Sequence, residues 1–171
     1  MIRPNLGGGS SCYATTMTDK IFHLQEWAPR VREVAEDLMV EIKAVTPELE
    51  VLFMGAAALG LPGKNDLDLD ILCTREKVAK YANALSPVLG KPKEINDEAA
   101  AWEFMKDGFE IDCMLSDPVI SHVPAQKRRF ELLKTDGQLL EEYRQLKIAC
   151  DGLPYAVYEE RKKAFFDRIS E

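Results

Sequence analysis

Three aspartates at alternate positions are the feature of this sequence best suited to chemistry. They lie in the segment DLDLDILC, residues 66–73. Successive side chains of a β-strand point to opposite faces, so Asp66, Asp68 and Asp70 would share one face and the apolar residues the other. Carboxylates on one face repel each other, and a divalent cation with oxygen ligands would relieve that repulsion. A solvated sheet face or a strand edge guarded by charges is the alternative that stays open.

Another aspartate, Asp112, lies on the second strand of a predicted β-hairpin. Residues 101–106 and 109–114 flank the pair Asp107-Gly108, which two-residue type I′ turns favour. Counting outward from this turn pairs Glu103 with Asp112, so the hairpin also carries acids on one face. The two strands together predict a sheet face at which two metal ions could be held.

The surrounding segments predict the elements that would position these acids. Apolar residues at helical spacing predict a first helix from Pro29 to near Thr46-Pro47. Thr74 is placed to cap a second helix, and Gly137 to end a third. The predicted strands cover 49–54, 67–73, 101–106 and 109–114, and the later helices 75–86, 124–136, 138–150 and 155–169. This order predicts an α+β fold, an α/β mixed sheet with helices on one face and a C-terminal helical subdomain.

The length of the chain sets the expected domain organisation. A chain of 171 residues can bury the core of one domain but is short for two. The glycine-rich residues 1–17 predict a disordered leader. Residues 18–171 are predicted to form a single domain, with a core over 18–118 and a helical tail over 119–171.

Composition excludes several classes of function. No apolar run approaches the ~20 residues that a membrane span needs, and no signal peptide is visible, so we expect a cytoplasmic protein. The net charge of −7 argues against a protein that coats nucleic acid broadly. The four cysteines show no CxxC spacing, which predicts reduced thiols rather than a zinc site. Trp102, Phe104, Phe109, Cys73 and Cys113 are expected in the core.

The glycine and aspartate motifs resemble a known superfamily. The segment 53–58, FMGAAA, followed by Asp68-Leu69-Asp70, resembles the Gly-Ser … Asp-x-Asp signature of the polymerase-beta-like nucleotidyltransferases. Asp112 completes the triad that this superfamily usually has. More narrowly, the chain over about residues 21–170 is similar to the GrpB family. The similar positions are Leu24, Trp27, Gly60-Leu61, Lys64, Tyr143 to Lys147, Tyr158, Lys162, Phe165 and Phe166.

The resemblance implies a nucleotidyltransferase-like core and a role for each site residue. Asp68 and Asp70 would be catalytic and would bind two Mg²⁺ ions, with Mn²⁺ as an alternative, and Asp112 would bridge the metals and activate the acceptor. The implied nucleotide-binding residues are Gly55, Ala56, Lys64, Lys147 and Lys162. The implied partners are an NTP and an unidentified small-molecule or macromolecular acceptor.

The chain departs from the family pattern at Ala56, where the family usually has serine, and by one missing residue before Lys64. Three hypotheses follow. The first is Mg²⁺-dependent transfer of a nucleoside monophosphate, and the second is a catalytically silent nucleotide- or metal-binding module of the same fold. The third is a small-molecule-modifying enzyme similar to antibiotic nucleotidyltransferases.

Two lysines on the predicted C-terminal helices have two possible interpretations. Lys147 and Lys162 would either form an anion pocket facing the metal site or lie on solvated helix faces. Tyr143 and Tyr158 precede them by four residues, so each shares a helix face with its lysine and would either stack a base or pack in the core. Arg128 and Arg129 have the same two possible interpretations as the lysines. We expect structural roles for His23 and His122, which have no partner motif.

Overall fold

The computed structural model describes residues 20–119 and 122–170, so the predicted leader lies outside the described residues. The strands are β1 (Glu50–Met54), β2 (Asp66–Leu72), β3 (Glu94–Ile95), β4 (Ala99–Lys106) and β5 (Phe109–Ser116). The helices are α1 (Arg30–Val45), α2 (Gly55–Ala58), α3 (Val78–Leu89), α4 (Val123–Thr135), α5 (Gly137–Cys150) and α6 (Tyr155–Ile169). This confirms the predicted mixed α/β class, and adds the two short elements α2 and β3.

The strands form one mixed sheet in the order β1-β2-β5-β4-β3. β2 and β5 run parallel, with Asp68 opposite Asp112, and the other neighbouring pairs are antiparallel. The hairpin register places Glu103 opposite Asp112 as predicted. Asp107 and Gly108 have φ angles of 51° and 86°, which are the left-handed values of a type I′ turn. The parallel pairing is what brings the two acidic strands side by side.

One face of the sheet is the main hydrophobic core. Leu67, Leu69 and Ile71 of β2 are at most 1% exposed, and they belong to one apolar cluster with residues of α1 and α3. Burying a side chain of this size contributes about 1.5–3 kcal/mol, so a shift of register by one residue would be costly. The alternation of β2 therefore commits its aspartates to the opposite face.

The helical tail has apolar clusters of its own. Leu61, Leu133, Tyr143 and Phe165 form one of them, and Ala56 and Leu59 of α2 pack against it. Phe22, Cys150 and Tyr158 form another, which ties the segment before α1 to α5 and α6. α2 and the loop after it therefore connect the sheet with the helical tail. The division of 18–171 into core and tail within one domain stays a prediction.

Two predicted helix ends are wrong in detail. Thr74 makes no side-chain cap, and the N–H of Arg75 instead donates to Asp117 Oδ2 at 3.0 Å, because a 3₁₀ turn precedes α3. Gly137 does not end α4 but is the first residue of α5. Asp136 caps α5, since its Oδ1 accepts from the N–H groups of Gln138 and Leu139. A side-chain cap outside the helix thus decided the boundary.

The predicted core positions of Cys73 and Cys113 are confirmed. Cys73, Cys113 and Cys150 are free and buried, and Cys12 lies outside the described residues. Trp102 and Phe109 belong to the main core, and Phe104 packs against it. Within residues 20–119 and 122–170, no helix is both long and apolar enough to cross a membrane.

Candidate active site

Three carboxylates meet on the polar face of the sheet. Asp66, Asp68 and Asp112 each offer one oxygen atom, and these atoms lie within 4.8 Å of one another. Asp66 and Asp68 come from β2, and Asp112 comes from the parallel strand β5. The metal ligands expected from the sequence were Asp68, Asp70 and Asp112, whereas this group contains Asp66 in place of Asp70. The structure therefore joins Asp68 and Asp112 as expected, adds Asp66, and places Asp70 outside the group.

The three acids form a strongly anionic group. Burial, and after it the charges of Asp66 and Asp112, raise the pKa of Asp68 to about 7. Burial also raises the pKa of Asp112, with Glu110 and Asp66 as the main neighbouring charges. A carboxylate whose pKa lies this high lacks enough positive charge around it. The site is therefore suited to receive a cation.

Lys64 partly compensates this charge. Its Nζ donates to Asp66 Oδ2 at 2.7 Å. Burial alone would lower the pKa of Lys64, but the charge of Asp66 and this hydrogen bond outweigh burial and raise it. Lys64 thus remains an ammonium and neutralises one of the carboxylates.

Gly55 makes the close approach of Asp68 possible. Its φ is +77°, a left-handed backbone value that residues with a side chain rarely adopt. A Cβ atom at this position would lie 2.0 Å from Asp68 Oδ2, well inside van der Waals contact. Glycine is therefore required both for the turn after β1 and for the position of the Asp68 carboxylate.

Asp70 lies two residues further along β2 than Asp68, outside the three-acid group. It is 8% exposed and lines the same cleft as the three acids. Burial raises its pKa, and the charge of His122 lowers it. His122 also lines the cleft, whereas the sequence predicted a structural role. Because His122 has no motif beside it in the sequence, nothing in the sequence indicated that it lines the cleft.

The acids form one wall of a cleft of about 550 Å³. The helical tail supplies the other wall, with cations and aromatic rings. These residues are Arg129, Phe130, Tyr143, Lys147, Tyr155, Tyr158, Lys162 and Phe166. Gly55, Ala56 and Lys64 line the cleft as well, so the cleft gathers all eight site residues predicted from the sequence. Of the two arginines considered, Arg129 lines it, while Arg128 is exposed outside its lining.

Lys147 is a buried ammonium, so the solvated helix face is the wrong interpretation for it. It is 3% exposed, and its Nζ donates to Tyr158 Oη at 3.2 Å. The same Nζ lies 5.2 Å from the ring centroid of Tyr143 and 5.3 Å from that of Tyr158. Burial lowers the pKa of Lys147 to about 8. Among the described residues no carboxylate forms an ion pair with it, which leaves a buried positive charge facing the cleft.

Lys162 is more accessible than Lys147. Its Nζ pairs with Glu159 Oε1 at 3.4 Å and lies 5.6 Å from the ring centroid of Tyr158. Tyr143 and Tyr158 are 5% and 3% exposed, so both pack in the core of the tail. Tyr155, which the sequence analysis did not single out, is half-buried and lines the cleft.

No protein-family model and no curated protein sequence matches the chain, so the resemblance to the GrpB family is not confirmed. Among solved structures, the Cid1 poly(U) polymerase with bound MgGTP is similar at 20% identity and a TM-score of 0.49, over 67% of this chain and 40% of that one. A cytoplasmic RNA terminal U-transferase is similar at 16% and 0.44, over 70% and 39%. The GLD-2/RNP-8 complex is similar at 17% and 0.48, over 76% and 54%. The chain thus spans about half or less of the length of these proteins.

Proposed function

We propose that the protein is a divalent-metal-dependent nucleotidyltransferase that moves a nucleoside monophosphate from an NTP to an acceptor hydroxyl. The observation that carries the proposal is the cleft with two oppositely charged walls. Three carboxylates lie on the sheet, and a buried lysine among aromatic rings faces them from the tail. A metal-bound polyphosphate with an aromatic base has the charges and the ring that such a cleft can accommodate.

The residues present fit a hard divalent cation. Asp66, Asp68 and Asp112 offer oxygen ligands, and their mutual repulsion would be relieved by the ion. Asp70, which the sequence resemblance assigns to the metal, is a further candidate ligand for a second ion. Mg²⁺ or Mn²⁺ held there would stabilise charge on the attacking and leaving oxygens of the transfer.

The lysines would hold the phosphate groups. Lys147 is buried without an acidic partner among the described residues, so an anion in the cleft would compensate its charge. Lys64 and Lys162 line the same cleft and are close enough for their charges to lower the pKa of Lys147. Three ammonium groups around one cavity favour an anion with several negative charges, such as a triphosphate.

Asp112 would accept the proton of the acceptor hydroxyl. It lies on β5, the strand next to the one that carries the other two acids, and faces Glu103 of β4. A carboxylate at this position could take the proton as the hydroxyl attacks. Asp112→Asn should therefore leave nucleotide binding nearly intact and remove turnover.

One observation favours a second candidate, a nucleotide- or metal-binding module without turnover. Ala56 stands where the resemblance expects a serine hydroxyl, and its side chain packs against the apolar cluster of the tail. Restoring the hydroxyl with Ala56→Ser should strengthen nucleotide binding by about 1 kcal/mol in an enzyme. A protein that binds metal and nucleotide, shows no transfer to any acceptor, and gains none from Ala56→Ser would be such a module.

The deciding experiment is incubation with Mg²⁺ or Mn²⁺ and each radiolabelled NTP, followed by measurement of pyrophosphate release and of labelled product. Asp68→Asn should abolish the release. Asp37→Asn, an exposed acid of α1, is the matched control and should keep it. Release that persists at the wild-type rate in Asp68→Asn would contradict the proposal.

A further inference from the structure

A short segment before α1 contacts both parts of the molecule that carry the cleft lysines. We call residues 20–25 the N-terminal strap. At one end, the N–H of Phe22 donates to the carbonyl of Leu153 at 2.8 Å, and the N–H of Gly152 donates to the carbonyl of Phe22 at 2.9 Å. At the other end, Gln25 forms a β-bridge with Gly63. The strap thus connects the turn between α5 and α6 with the loop before β2.

Gln25 holds the loop on both sides of Lys64. Its N–H donates to the carbonyl of Gly63 at 2.7 Å, and its carbonyl accepts from the N–H of Gly63 at 3.0 Å. Its side-chain Oε1 accepts from Asn65 Nδ2 at 2.9 Å. Lys64 lies between these two anchored residues, so its backbone position depends on Gln25.

Asn65 gives the side-chain bond of Gln25 a specific purpose. Its φ is 58°, a left-handed value that asparagine adopts more readily than other residues with a side chain. The hydrogen bond from its side chain to Gln25 favours this conformation over the others open to an exposed turn. The turn at Asn65 directs the chain from Lys64 into β2, where Asp66 accepts from Lys64 at 2.7 Å. Gln25 thereby acts on the geometry of the Lys64–Asp66 pair.

The other end of the strap supports Lys147. The ring of Phe22 stacks on Tyr158 with centroids 4.0 Å apart, and Lys147 Nζ lies 5.9 Å from the Phe22 centroid. Phe22 is 1% exposed, so it forms part of the buried surface beneath the lysine. A single run of residues therefore sets the positions of a lysine from the loop and a lysine from the helical tail.

We propose that Gln25 is a positioning residue that, through Gly63 and Asn65, holds the Lys64 ammonium at the place where it meets the phosphates of the nucleotide. This inference rests on the proposed function for its ligand, but not for its geometry. Gln25 itself does not line the cleft, so its effect on binding has to pass through the loop.

The test is a double-mutant cycle with Gln25→Met and Lys64→Met. Gln25→Met keeps the length of the side chain and removes the acceptor. Titration calorimetry with the Mg²⁺ complexes of the four NTPs would measure nucleotide affinity. For the nucleotide that binds, Gln25→Met should lower the affinity about threefold to tenfold, which corresponds to the loss of one hydrogen bond. In a Lys64→Met background, Gln25→Met should have no further effect, because coupled residues are not additive. Since Gln25→Met removes only one exposed hydrogen bond, the melting temperature should fall by no more than about 2–4 °C.

Gln145→Met is the matched control, since Gln145 is an exposed glutamine of α5 whose side chain donates to Glu141. It should bind nucleotide like the wild type. Additive effects of the two substitutions at Gln25 and Lys64, or wild-type affinity in Gln25→Met, would overturn the proposal.

A second readout does not depend on nucleotide binding. Acetylation by acetic anhydride, resolved by mass spectrometry, should modify Lys64 severalfold faster in Gln25→Met than in the wild type, with the exposed Lys134 as internal reference. An unchanged ratio of Lys64 to Lys134 modification would overturn the positioning role. Absence of binding for all four NTPs in the wild type, with a changed ratio, would instead count against the proposed function and leave the positioning role supported.

Discussion

The two walls of the cleft carry opposite charge and reach their positions by different means. On the sheet wall, Asp66, Asp68 and Asp112 take their places from strand alternation and from the parallel pairing of β2 with β5. On the tail wall, Lys147 takes its place from packing among the aromatic rings of Tyr143 and Tyr158. Backbone geometry thus positions the acids, and side-chain packing positions the cation.

The walls also differ in how their charge is destabilised. Burial and neighbouring acids raise the pKa of Asp68, whereas burial lowers that of Lys147. Each shift means that the charged form lacks a partner in the folded protein. A metal ion would satisfy the first wall and a phosphate the second, so one metal–nucleotide complex would satisfy both. The following experiments separate the two contributions.

The largest expected effect is on metal binding. Mn²⁺ at one hundred times its Kd should stabilise the wild type by about 2.7 kcal/mol, seen as a rise in melting temperature. Asp68→Asn should remove this rise, because the residue lies in the three-acid group and against Gly55. Asp70→Asn should keep it, since Asp70 lies outside that group. Loss of the rise in Asp70→Asn as well would restore Asp70 to the metal site, as the sequence resemblance implies.

The pH dependence of metal affinity should be the next largest effect. The pKa of Asp68 is raised from 3.8 to about 7, so between these values the folded protein holds a proton that the unfolded chain has lost. Stability without metal should therefore fall as pH rises from about 4 to about 7, and then level off. Since Mn²⁺ displaces this proton, its apparent affinity should rise about tenfold per pH unit up to about 7. Calorimetry from pH 5 to 8 would measure it, and a flat profile would contradict the raised pKa.

Gly55→Ala tests how closely the Asp68 carboxylate depends on a backbone without a side chain. The new Cβ would meet Asp68 Oδ2 and would also be strained at a φ of +77°. We expect a loss of about 2–3 kcal/mol in unfolding free energy together with weaker Mn²⁺ binding. Gly90→Ala is the matched control, because Gly90 has a φ of +75° and no neighbouring atom within 4 Å.

The control should show backbone strain alone, about 1–3 kcal/mol at a φ of 75° and a ψ of −161°, with unchanged metal affinity. Equal effects of Gly55→Ala and Gly90→Ala on stability and on Mn²⁺ binding would mean that the Asp68 contact contributes nothing.

The smallest expected effect on stability belongs to the tail wall. Lys147→Met keeps an unbranched side chain and removes a buried charge without an acidic partner among the described residues. We expect the unfolding free energy to rise by about 1 kcal/mol and nucleotide affinity to fall about tenfold. Lys162→Met, at a more accessible lysine, should leave stability within about 0.5 kcal/mol. Chemical denaturation and calorimetry would check both, and a destabilised Lys147→Met would show that the ammonium is already compensated.

Much of the sheet wall could be predicted because it depends on short-range patterns. Alternation in residues 66–73 placed the acids on one face, and Asp107-Gly108 predicted the register that pairs Glu103 with Asp112. The choice among the acids of β2 could not be predicted in the same way. Asp66, Asp68 and Asp70 share that face, and the register places Asp68 opposite Asp112, with Asp66 and Asp70 two residues away on either side. The directions of the side chains, which no spacing predicts, bring Asp66 into the group. The Asp-x-Asp motif of the resemblance instead selected Asp70, which lies two residues beyond Asp68 on β2.

By itself, the sequence determined the order of the main elements, the apolar and acidic faces of β2, the hairpin and the glycine at the end of β1. Each of these follows from backbone periodicity or from the conformations open to one residue type. Tertiary structure alone decided that Lys147 is buried, that His122 and Tyr155 line the cleft, and that Gln25 anchors the loop of Lys64. These features join residues far apart in the chain, and no local pattern carries the energy of contacts between distant segments.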